Sequence, residues 1–195
     1  MSALAIDNTT ETTDATSRDS DESASSDGGS GCTDDNPPES IRIELTLETS
    51  DVAPSLAGWL EPQLKRIIRL AGLKNVSLSI AVVDDEQMSQ LHEQYKNVTG
   101  TTDVLTFDLC DDESELDVDG EVIICADVAQ RQAVVRGHET RLELLLYAVH
   151  GLLHLSGYDD LSEADALRMH AREDELLTKA GFDPVYNHGQ EFERR

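Results

Sequence analysis

His150-Gly151-Leu152-Leu153-His154-Leu155-Ser156-Gly157-Tyr158-Asp159-Asp160 is the stretch on which the reading of this chain turns. Two histidines four apart on a helix place both imidazoles on one face, one turn apart. Gly157 offers the left-handed residue at which helices commonly stop. A turn there brings a third group, Asp160 or Asp159, back over the two imidazoles. Two His and one carboxylate make a metal set that leaves positions open for water and substrate. The residues therefore point to a hydrolytic metal site.

Leu142, Leu144, Leu145, Leu146, Val149, Leu152, Leu153 and Leu155 make this helix apolar almost all round, the pattern of a buried helix. A histidine pair at this spacing often only packs or caps. Burial argues for more, because an unsatisfied buried imidazole is costly and one metal ion would satisfy both. Zinc peptidases of the H-E-x-x-H type carry their general base, a glutamate, directly after the first histidine. Here that position is Gly151. The chemistry must then rest on metal-bound water, on a base elsewhere, or on a nucleophile carried by the substrate, as RNA carries its 2′-hydroxyl.

Outward from this helix the chain alternates strands and helices. Ile41, Ile43, Leu45 and Leu47 alternate with polar residues and predict a half-buried strand. Pro54 and Ser55 open a helix carrying Leu56, Trp59, Leu60, Leu64, Ile67, Ile68 and Leu70. Pro62 is expected to shift its start or bend it, and Gly72 ends it. Val76, Leu78, Ile80 and Val82 form a second strand. Asp84 caps a short helix with Met88, Leu91 and Tyr95 inward. Residues 104–107 and 122–125 read as the third and fourth strands, with the acidic stretch 111–119 as the loop between them. Residues 127–136 form a helix broken at Gly137, and 142–156 the histidine-bearing helix. Ser162 caps a last helix with Ala166, Met169, Leu176 and Leu177 inward, ending at Gly181. Four strands and five helices predict a mixed α/β-type architecture around one small sheet, the first two strands forming a parallel unit. There is no internal repeat.

The motif resembles the signature of the YbeY family, metal-dependent endoribonucleases of bacterial ribosomal RNA maturation, which reads H-G-x-L-H-L-x-G-Y-D-H. His150, Gly151, Leu153, His154, Leu155, Gly157, Tyr158 and Asp159 match it. Thr102-Asp103-Val104-Leu105-Thr106-Phe107 resembles the family's T-D-V-L-S-F strand, and Gly120-Glu121-Val122-Ile123-Ile124 its G-D-I-x-I strand. The resemblance spans roughly residues 41 to 187. It implies an α+β fold, with a small four-stranded mixed sheet packed with about five helices and a metal site on a buried helix. It implies one zinc ion, or another divalent metal, held by His150, His154 and Asp160. Asp160 stands where the family has a third metal-binding histidine; the change makes the ligand anionic and the bound water less acidic. Lys96, after Tyr95, stands near the place of a family arginine thought to serve catalysis. It would stabilise charge on the phosphate, without the bidentate fork of arginine; the plain alternative is a solvated lysine at a helix end.

The implied function is single-strand-preferring endoribonucleolytic cleavage in small-subunit ribosomal RNA maturation and late ribosome quality control. The implied partners are ribosomal RNA and the small ribosomal subunit, with no DNA. Two rivals remain: another zinc hydrolase, a peptidase or amidase, and a non-catalytic ribosome-assembly factor with a structural metal.

Composition sets the frame. Residues 1 to 40 hold ten acidic residues and one basic, Arg18, and almost no large apolar ones. Such a segment cannot offset its ordering entropy by burial, so a disordered acidic tail is expected before a domain at 41–195. The tail lacks the basic start and apolar run of a signal peptide. No segment reaches the ~18 apolar residues of a membrane span. Cys32, Cys110 and Cys125 form no CxxC pair and read as free thiols in a reducing cytoplasm. The net charge is −25, of which −16 falls on residues 41–195. That is awkward for a nuclease, since nucleic-acid binders usually carry a basic footprint. It fits a high-salt habitat or reliance on a ribosomal protein partner. The local cations are Lys65, Arg66, Arg69 and Lys74 around one helix, more simply a solvated face, plus Lys96. His170 reads as a core-edge histidine. His92, His138 and His188 receive no role. Asp159 is a candidate partner behind a ligating imidazole.

Overall fold

The structure, a computed structural model, describes residues 40–50, 52–110 and 117–186. The acidic tail, apart from Ser40, and His188 lie outside the described residues.

Nine elements follow one another: β1 Ser40–Leu47, α1 Leu56–Ala71, β2 Asn75–Val83, α2 Asp85–Lys96, β3 Val104–Asp108, β4 Val118–Cys125, α3 Ala126–Arg136, α4 Thr140–Leu155 and α5 Glu163–Lys179. The sheet order is β1-β2-β4-β3. The first two pairings are parallel and the last is antiparallel, so the sheet is mixed and the fold α+β.

Strand alternation sorts the two faces. Ile41, Ile43, Val76, Leu78, Ile80, Val118, Val122 and Ile124 join the large core with α1, α4 and α5. Ala81, Val83, Leu105, Phe107, Ile123 and Cys125 face the other way, against Met88 and Leu91 of α2. The histidine helix and α2 therefore pack on opposite faces of the sheet.

Local chemistry explains most boundaries. Asp84 and Gln87 form a reciprocal capping box at the start of α2. Gly72, at φ 88°, ends α1 while its N–H and that of Leu73 reach back to Arg69 and Ile68. Pro62 sits inside α1 rather than at its start, because Leu60 and Leu64 on either side are fully buried and hold the turn by packing. The fourth strand begins at Val118, inside the stretch expected to be loop. Val118 is buried opposite Val76, and the Asp117 carboxylate accepts from the backbone N–H of Lys74 at 2.6 Å and Asn75 at 2.9 Å. Residues 111–116 lie outside the described residues. Tyr95, expected inward, is 52% exposed, with one ring edge on Phe107.

Helix α4 seats closely on the sheet because glycine occupies the contact points. A Cβ on Gly151 would come within 2.6 Å of Val122 Cγ1, and one on Gly120 within 2.7 Å of Leu155 Cδ1. The basic residues of α1 are structural: Lys65 pairs with Glu61, and Arg66 donates to the Ala180 carbonyl at the end of α5.

Candidate metal centre

With Gly151 and Leu155 against the sheet, His150 and His154 turn to the flank of α4 and stay partly open, their side chains 14% and 24% exposed. Gly157, at φ 89°, reverses the chain after the helix. Asp159 then accepts from the N–H groups of Asp160 and Leu161, a tight turn that carries Asp160 back over the helix end. Asp160 Oδ2 lies 3.9 Å from Nε2 of each histidine, and the two Nε2 atoms lie 3.0 Å apart.

The Nδ1 atoms are spoken for. His154 Nδ1 lies 3.1 Å from the Tyr158 carbonyl, which only accepts, so this nitrogen carries the proton. His150 Nδ1 lies 2.7 Å from Glu173 Oε1 on α5, a carboxylate with 0% exposure. Neutral imidazoles so arranged aim two Nε2 lone pairs at each other across 3.0 Å. A cation between them removes that repulsion. Three donors on one small ion, with bonds of ~2.0–2.1 Å, stand about 3.3 Å apart, so the observed spacing fits one after a small shift of Asp160.

Asp160, rather than Asp159, is thus the carboxylate grouped with the histidines. Asp159 shapes the turn and backs neither imidazole; the backing groups are the Tyr158 carbonyl and Glu173. Glu173 escaped the sequence reading. Its signal was a carboxylate inside the buried stripe Met169, Glu173, Leu176, Leu177 of α5. Burial lowers the His150 pKa, but the Glu173 bond and the charges of Glu173, Asp103 and Asp160 outweigh it and leave the net shift upward.

A family profile described as Endoribonuclease YbeY matches residues 42–181. The chain belongs to the YbeY family. Relatives named Endoribonuclease YbeY from Staphylococcus aureus strains JH9 and Newman are each 40% identical over 115 residues, covering 55% of this chain and 74% of theirs. The solution structure of TM1509 from Thermotoga maritima aligns with a TM-score of 0.51 at 24% identity, over 78% of this chain and 99% of that one; this likeness shows the fold. Against the YbeY signature, the described residues bring His150, His154 and Asp160 together. Lys96 stands elsewhere: it ends α2, exposed, on the helix that covers the opposite sheet face. His170 stacks on Tyr186 at 3.9 Å between centroids, at the core edge. His138 Nε2 lies 2.9 Å from Glu143, a buried partner that the sequence did not suggest. No helix among the described residues is long and apolar enough to cross a membrane.

Proposed function

We propose that this chain is a metal-dependent, single-strand-preferring endoribonuclease acting in small-subunit ribosomal RNA maturation and late ribosome quality control. The observation that carries the metal reading is the pair of Nε2 atoms facing each other at 3.0 Å, with both Nδ1 atoms engaged elsewhere. Family membership supports the RNA-cleaving part.

In this reading His150 and His154 through Nε2, and Asp160 through Oδ2, hold one divalent ion, with zinc expected. Such an ion, when bound, polarises a phosphoryl oxygen and lowers the pKa of coordinated water. The protein's own part is orientation. Glu173 keeps a proton on His150 Nδ1, and the Tyr158 carbonyl keeps one on His154 Nδ1, so both lone pairs face the same point. The partial exposure of all three donors leaves room for a strand of RNA to approach. Lys96, outside the cluster at the end of α2, is proposed to offer its charge to phosphate along the bound strand. The peptidase rival lacks the general base of H-E-x-x-H enzymes, since position 151 is glycine and faces Val122 and Thr106 of the sheet and not the cluster.

The deciding experiment measures metal content by elemental mass spectrometry and cleavage of single-stranded RNA, in wild type and Asp160→Ala. One equivalent of zinc that falls sharply in the variant, with cleavage falling alongside, supports the reading. Metal-free wild type that still cleaves RNA would sink it. A full metal complement with no cleavage of any RNA would favour the assembly-factor rival.

Glu173 gives a second expected result. Glu173→Gln keeps the volume and an acceptor but removes the charge. Zinc affinity at alkaline pH is expected to fall by about 10–100-fold. The raised His150 pKa makes protons compete with the metal up to higher pH than at a free imidazole. Without the Glu173 charge that pKa drops, so the midpoint of the pH dependence of zinc affinity should move down even as the affinity reached at alkaline pH falls. Chelator competition across pH reads both quantities, and an unmoved midpoint would remove Glu173 from the site.

A further inference from the structure

Beyond Thr140 and Arg141 in its first turn, helix α4 carries one polar stripe among apolar residues: Glu143, Tyr147, His150 and His154, spaced four, three and four residues apart. Those intervals stack the four side chains along one helix face. The histidines occupy its C-terminal half. Beside its N-terminal half opens a cleft of about 460 Å³, whose lining includes Thr101, Thr102, Arg131, Gln132, Arg136 and Tyr147. The lining is mostly polar side chains, which suits a polar ligand and not an apolar one.

Arg136 is the notable group. Its Nη1 is bonded to Glu143, which is fully buried, and its guanidinium lies 5.2 Å from the centroid of the Tyr186 ring. A guanidinium has five N–H donors. One is committed to Glu143, and the carboxylate behind and the ring beside hold the plane fixed. An arginine immobilised in this way loses little freedom when it binds an anion, and its fork matches two phosphate oxygens. Arg131, on the same wall, is committed to Asp85 by two bonds. Asp103, a carboxylate on the lining, turns one oxygen to Val104 N–H and the Thr102 hydroxyl and keeps its charge, so an anion in the cleft must sit on the Arg136 side.

We propose that this cleft is a phosphodiester subsite in which Arg136, oriented by buried Glu143, grips the RNA strand beside the bond to be cleaved. Thr101, Thr102 and Gln132 supply the neighbouring hydrogen bonds. The inference rests on the endoribonuclease reading and deepens it. It also answers the charge problem: a strongly acidic chain can hold RNA through one preorganised cation beside the metal cluster, without a broad basic face.

The test uses the full chain loaded with zinc and a fluorescent single-stranded 2′-O-methyl oligoribonucleotide, which resists cleavage. Affinity is measured by anisotropy over a range of salt concentrations. The double variant Arg136→Gln/Glu143→Gln removes both charges together and leaves neither buried alone. It is expected to bind about tenfold more weakly and to lower the salt slope by ~0.7, the value for one lost single-strand phosphate contact. Its zinc content should stay at the wild-type level, since the cluster is untouched. Arg136→Lys should keep the slope and weaken binding about threefold through loss of the fork. If the folded double variant matches wild type in affinity and slope, the subsite is wrong. Should the double variant not fold, wild-type affinity in Arg136→Lys is the overturning result. If wild type itself binds no RNA, the endoribonuclease reading fails, and this inference with it.

Discussion

His150→Ala is expected to empty the metal site and to cut RNA cleavage by more than about a hundredfold. Losing only a partner behind a ligand already costs ~10–100-fold, and His150 is itself one of the three proposed donors. The substitution has a second effect, on stability. It leaves Glu173, with no solvent exposure, without the imidazole that now lies 2.7 Å from it. An uncompensated buried carboxylate costs about 3–5 kcal/mol. The two effects separate in His150→Gln, whose amide can still donate to Glu173 while offering no imidazole to the metal. Elemental analysis, a cleavage assay and a thermal melt on both variants distinguish them. The expected pattern is no metal and no cleavage in either, with the larger loss of melting temperature in the alanine variant. Retained zinc and full activity in both would show that the cluster is not the working site.

Gly151→Glu is the second large effect. It would recreate the H-E-x-x-H spacing of zinc peptidases, and spacing alone would make it a candidate for new chemistry. The fold says otherwise. Even a methyl at position 151 would meet Val122 Cγ1 at 2.6 Å, Val122 Cγ2 at 2.9 Å and Thr106 Cγ2 at 3.2 Å. Gly151→Ala should therefore cost about 1–3 kcal/mol by overpacking. A domain of this size would melt roughly 2–4 °C lower for each kcal/mol. A glutamate adds a buried charge to the clash, so Gly151→Glu is expected not to fold. Circular dichroism and a melt decide it. A folded Gly151→Glu protein would show that α4 can lift from the sheet and that the packing described above is looser than its distances imply.

Much of this was readable in the chain because the signals were local. Alternation in β1 and β2, the Asp84 cap, and the glycines at 72, 137 and 157 each act within a few residues, and each appears where expected. The grouping of His150, His154 and Asp160 was readable for the same reason: helix spacing fixes His150 against His154, and a single glycine turn delivers Asp160. What escaped depends on contacts between distant segments. Glu173 reaches His150 across 23 positions, and even Glu143, seven positions from Arg136, meets it only because the turn between α3 and α4 folds the two helices together. Val118 starts β4 inside an acidic stretch because Asp117 serves the backbone of residues more than forty positions away. Periodicity cannot report such partners; it shows only a carboxylate sitting on an apolar stripe.

The shortness of the segment that holds His150, His154 and Asp160 has a thermodynamic consequence. Eleven consecutive residues supply every proposed ligand, so an unfolded chain keeps them near one another at little loop-closure cost. Metal ions bind such unfolded clusters weakly, and binding to the unfolded state subtracts from the stability that a ligand confers on the native one. Zinc should therefore raise the melting temperature by less than its native-state affinity would imply. The difference between the two measures how much of the affinity comes from the fold, which contributes Glu173 from the neighbouring helix and the fixed seat of α4 on the sheet.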